Sequence, residues 1–147
     1  MRNLTVLGLA FFLVAGAGAA QKDVEQLRAE AAKATGGHQA KLNAELAESL
    51  VDVANDQFNQ GQSVKGHDTV QEILNYAVKA HDGALSSKSN RKEVEILLRN
   101  TQRHLENVKR TLAADDRPAL DAAEKKLEQL RQDLLDAMWG SKPKDGK

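Results

Sequence analysis

Four histidines are the first side chains in this sequence that could do chemistry: His38, His67, His81 and His104. Histidines facing one another from packed helices can hold haem or a metal ion. His81 lies between Ala77 and Leu85 on one helical stripe, and His104 beside Leu105 and Val108 on another, so both can face inward. In a hairpin turning at Ser87–Ser89, position 81 comes level with position 95, which leaves His104 roughly 13 Å further along the rod. That separation is too large for one ion. His81 is expected instead to hold the carboxylate of Glu93 or Glu95, and His38 and His67, near helix starts, are expected in solvated or capping roles. Met138, the one methionine besides Met1, offers no His–Met axial pair for a haem.

Asp115, Asp116, Asp121 and Glu124 form a second constellation, spaced to gather a cation or to share a proton. Acidic residues at a helix start are, however, what the exposed N–H groups and the macrodipole favour on their own. Ser86, Ser87 and Ser89 lack the glycine-rich elbow and the His–Asp context of a nucleophilic serine. No stretch spells a reaction, and the expectation is a protein that is not an enzyme and carries no metal or other cofactor.

The third constellation is basic. Arg91, Lys92, Arg99, Arg103, Lys109 and Arg110 crowd one segment, without the interleaved aromatics that nucleic-acid binding uses. A solvated face beside an acidic neighbour accounts for them, and Arg99, Arg103, Lys109 and Arg110, with Trp139, are the residues through which a partner protein would be met. Trp139 ends an apolar stripe, and packing into the core is its expected role.

Composition excludes more than it suggests. There is no cysteine, hence no disulfide, thiolate metal site or acylated cysteine. Lys and Arg balance Asp and Glu at 21 each, so the total charge does not point to a polyanion. Past residue 20 the aromatics are Phe58, Tyr76 and Trp139, too few for a site that stacks rings. Ala, Leu, Glu, Gln, Lys and Arg dominate, which are the strongest helix formers.

The elements that would carry these residues follow from apolar spacing. Leu120, Ala123, Leu127, Leu130, Leu134 and Ala137 alternate steps of three and four, a continuous stripe over Pro118–Trp139. Asp115–Pro118 is its turn, because Pro is tolerated in a first helical turn, and Gly140 its stop. Upstream, Val24, Leu27, Ala31 and Ala34 mark a short helix over 21–34, and Gly36–Gly37 then break the chain as a C-terminal cap or hinge. Leu42, Leu46, Leu50, Val53, Ala54 and Phe58 mark a helix over 38–59. Capping-box spacings at Asp68 with Gln71, and at Asn90 with Glu93, open helices over 68–84 and 90–114. The fold class is therefore all-α: an antiparallel bundle of four main helices (38–140) with a short N-terminal helix and a frayed tail over 141–147. One Lys against four carboxylates between 38 and 60, and six cations against three Glu between 91 and 114, predict that the second and fourth helices are neighbours.

Residues 1–20, MRNLTVLGLAFFLVAGAGAA, read as a secretory signal peptide: one early Arg, an apolar run, then small residues before a polar start at Gln21. The expected workplace is periplasmic or extracellular, with the export signal as the one membrane contact. Leu50, Val51, Ala54, Phe58 and Gly61, followed by Val70, Leu74 and Ala77, resemble one helix-turn-helix unit of the tetratricopeptide repeat kind. From the second helix to Met138-Trp139-Gly140 the chain looks like uncharacterised exported helical proteins of bacteria. In size and helicity it also resembles the stress-induced periplasmic chaperones. The likeness to exported helical proteins implies a fold and no activity. The lack of a convergent polar site and the long amphipathic faces point to a scaffold or adaptor acting by protein–protein contacts, with a chaperone-like binder of unfolded clients, and a metal- or haem-binding bundle built on His81 and His104, as the alternatives.

Overall fold

The structure is a computed structural model that describes residues 17–140, with side chains from Asp23 onward. Every described element is helical: α1 (Ala17–Lys33), α2 (Gly36–Asn59), α3 (Ser63–Ser87), α4 (Arg91–Thr111) and α5 (Arg117–Trp139). The tail expected over 141–147 lies outside the described residues, as does the leader through residue 16. None of the described helices is long and apolar enough to cross a membrane.

Each helix ends for a local reason. Gly61 sits at φ +72°, in the left-handed region where a Cβ is penalised, so α2 turns into α3 within three residues. α3 begins at Ser63, not at Asp68, and the capping-box reading of Asp68 is corrected: that residue lies inside the helix, exposed. The earlier turn was hidden because Val64 and Lys65 face water and Gly66 resembles a breaker. Gly66 is instead a packing residue, since a Cβ there would come within 2.7 Å of the Phe58 ring. α2 likewise starts at Gly36, whose φ is +59°, while a Cβ on Gly37 would strike Ser89 Cβ at 2.6 Å. Lys88 and Asn90, both left-handed, turn α3 into α4, and Pro118 occupies the first turn of α5.

Contacts fix the order of the helices. α2 and α3 run antiparallel, Gly83 against Ala40 at one end and Gly66 against Phe58 at the other. α4 and α5 run antiparallel, tied by Glu95 to Arg131 and by Lys109 to Asp121. α3 and α5 run parallel, through His67 with Asp116 and His81 with Asp133. α2 lies close along α4, whereas no Cα of α2 comes within 8 Å of one of α5. The helices therefore form a square in the order α2, α3, α5, α4, with Leu46, Leu50, Ile73, Leu98, Leu127 and Leu134 buried between them. α3 and α4, consecutive in sequence, face across a diagonal and have the slightest contact of any pair that meets. α1 lies along α2, with Val24 and Ala31 buried and Gln39 Nε2 donating to the Ala31 carbonyl at 3.0 Å.

α2 and α4 are thus neighbours, as their opposite charges predict, but charge does not join them: among the described residues no ion pair links the two. Three basic residues of α4 are paired, Arg99 and Arg110 with carboxylates on α4 itself and Lys109 with two on α5.

Candidate functional site

The diagonal placement of α3 and α4 decides what the histidines can do. His81 is buried, 8 % exposed, but its partners are not Glu93 or Glu95. Its Nδ1 lies 2.8 Å from Asp82 Oδ1 on its own helix, and its Nε2 lies 3.5 Å from Asp133 Oδ2 on α5. A hairpin register between α3 and α4 does not hold when the two helices stand across a square. His104, expected to be able to face inward, is exposed beside a shallow cleft of about 230 Å³ between α2 and α4, with Asp52 and Asn107. His38 is exposed. Among the described residues, no three His, Asp or Glu side chains converge as a metal site requires.

His67 meets Asp116 Oδ1 at 3.0 Å, and Ser63 Oγ donates to Asp116 Oδ2 at 3.2 Å. Serine, histidine and carboxylate are all present, yet the carboxylate stands in the middle. A nucleophilic serine needs the imidazole there, so that its proton has somewhere to go. The cluster is a strap: it ties the start of α3 to the residue before α5.

The other acidic residues are also committed to structure. Lys109 Nζ donates to Asp121 Oδ1 and to Glu124 Oε2, each at 2.8 Å, and these two hydrogen bonds push its pKa above the usual lysine value. Asp115 is exposed and apart. The four carboxylates therefore do not act together: Asp121 and Glu124 share Lys109, Asp116 holds His67 and Ser63, and Asp115 stands apart.

A buried polar network that the spacing did not reveal joins α4 to α5. Glu95 is 5 % exposed, and its Oε1 accepts from Arg131 Nε and Nη2 at 3.1 and 3.0 Å. Its Oε2 accepts from Arg99 Nη2 at 2.9 Å. Arg131 Nη1 also donates to Gln102 Oε1 and Glu128 Oε2, each at 2.8 Å. The Gln132 amide donates to Glu128 and holds its pKa below the ordinary value, with Gln102 and Arg131 adding to this and burial opposing it. Arg91 is equally structural: its guanidinium donates to the carbonyls of Ala84, Leu85 and Ala137, closing the ends of α3 and α5. A fork of fixed donors suits such carbonyl capping.

What remains open to a partner is the outer face of α4. Lys92, Ile96, Arg103, Glu106 and Arg110 are exposed at steps of three and four, with Arg99 half-buried among them. Arg99 is held by Glu95, Arg110 by Glu106 and Lys109 by α5. Lys92 and Arg103 have no ion-pair partner among the described residues. Trp139, expected to pack, is 72 % exposed, because Leu134 is the last buried residue of α5 and the stripe outruns the core. The bond from Arg91 to the Ala137 carbonyl puts the end of α5, and Trp139 with it, at the end of the bundle where α4 starts. Lys109 and Arg110 stand at the far end of α4.

The chain matches no family model, no curated protein and no solved structure. Its function has to be argued from this surface and from the clefts between its helices.

Proposed function

We propose that the protein is a non-enzymatic, exported adaptor, an antiparallel four-helix bundle with α1 appended, that works by binding another protein. Its contact face is the outer α4 stripe from Lys92 through Ile96 to Arg103, with Trp139 at the bundle end where α4 starts. The observation that supports this most is the exposure of Trp139 at the end of the bundle where α4 starts, together with two α4 cations, Lys92 and Arg103, that no carboxylate among the described residues engages. Tryptophan and arginine are the side chains that most often carry binding energy at interfaces, and a 3–4 spacing of cations suits an acidic amphipathic helix laid along α4. Export rests on the form of the leader. A holdase for unfolded chains would need a broad apolar surface. Among the described residues the large exposed apolar side chains are Val64, Ile96 and Trp139, and Val64 sits at the opposite end of the bundle.

Photo-crosslinking in the native host tests the reading. A crosslinker at position 103 or 139 is expected to trap the same partner, one at Glu25 on α1 not to, and Lys92→Glu with Arg103→Glu to abolish capture. Equal capture from all three positions would discard the α4 face as the contact.

A further inference from the structure

A cleft of about 460 Å³ opens between α1, α2 and α3, and two of the polar side chains that line it, Asn43 and Lys79, form no hydrogen bond or ion pair among the described residues. Asn43 on α2 is 8 % exposed, yet its side-chain amide makes no hydrogen bond among the described residues. The amide opens on the cleft instead of being sealed in the core, so it is free to donate to whatever enters. Tyr76 stands on the α3 wall between two cations, Arg28 at 5.9 Å and Lys79 at 5.1 Å from its ring centre. The cations differ in what they can offer. Arg28 is taken by Glu72, whereas Lys79 has no ion-pair partner among the described residues. Asp82, on the same wall, is engaged by His81 Nδ1.

We infer that this cleft binds a small organic carboxylate, with Lys79 as its counter-charge and the Asn43 amide as its hydrogen-bond donor. One free cation suits a monoanion. A doubly charged phosphate would leave a charge unbalanced and set it against Asp82. The volume lies within the range of small-molecule sites and leaves room for an apolar body behind the carboxylate. The cleft between α2 and α4 offers no such counter-charge: its polar lining is Asp52, Asn55, His104, Asn107 and Thr111, with no lysine or arginine.

The test titrates the purified protein with benzoate and, at matched ionic strength, with neutral benzamide. The readouts are the ring resonances of Tyr76, the one tyrosine, and the side-chain amide of Asn43. Benzoate is expected to give saturable shifts at both, with benzamide weaker by about tenfold. Lys79→Gln, an exposed change that leaves the core intact, is expected to weaken benzoate by about fivefold while the melting temperature holds. Shifts that never saturate, equal responses to the two probes, or an unaffected Lys79→Gln protein would each overturn the assignment.

Discussion

Arg131 reaches from α5 into α4 and holds a carboxylate that is almost sealed from water. Its pairing with Glu95 is the one place where a single polar truncation should be severe, because it would leave a buried charge with Arg99 alone. Arg131→Ala is expected to cost about 3 kcal/mol in urea unfolding, and the double change Arg131→Met with Glu95→Leu to regain most of it, since an apolar pair of similar volume avoids desolvation. Lys109 makes a different forecast. Its pKa is raised by Asp121 and Glu124, so its contribution is fully present below the usual lysine value and is lost as pH rises through the raised one. The stability gap between the protein and its Lys109→Met variant should hold from neutral pH to about 10 and close above that, read by unfolding at each pH. None of this was legible in the residues themselves. Glu95 and Glu93 look alike beside Val94, and only the direction in which α5 lies makes one of them a core residue and the other a solvated one.

At the scale of the helix, spacing carried most of the information. α5 was readable to within a residue from six apolar positions, because a stripe that must be covered leaves little freedom in phase. α3 was not, since its first turn is exposed and its apparent breaker, Gly66, is the residue that lets α2 approach. Small residues along that seam, Ala40 against Gly83 and Gly66 against Phe58, bring the two backbones together. The hairpin spans Gly36–Ser87, longer than the roughly 34-residue unit that Leu50–Ala77 resembles. Gly66→Ala gains about 1 kcal/mol of helix propensity, but its Cβ meets a buried ring at 2.7 Å. Displacing Phe58 should cost about 1–3 kcal/mol, so the expected net change is a loss, read as a lower urea midpoint with an unchanged slope. A gain would mean that Phe58 has room to turn.

For the molecule as a whole, the square of α2, α3, α5 and α4 closes on itself, whereas α1 lies along α2 and is tied to α3 by the bridge from Arg28 to Glu72. Sequence spacing gave four long rods and a short one, but not which rods share an edge, because turns of three or five residues permit either a side or a diagonal. The charge argument reached the right neighbours, α2 and α4, through pairings that the structure does not use. If α1 is an addition to a finished core, removing everything before Thr35 should leave a cooperative protein. What is lost is the burial of Val24 and Ala31 and part of Leu27, on the order of 3 kcal/mol, or roughly a 10 °C fall in melting temperature. The truncation also removes Arg28 and one wall of the Asn43 cleft, so the benzoate response at Tyr76 should vanish while the four-helix transition stays single in calorimetry. A broad or stepwise transition would mean instead that α1 is part of what closes the bundle, and that the cleft beneath it is a seam of the core.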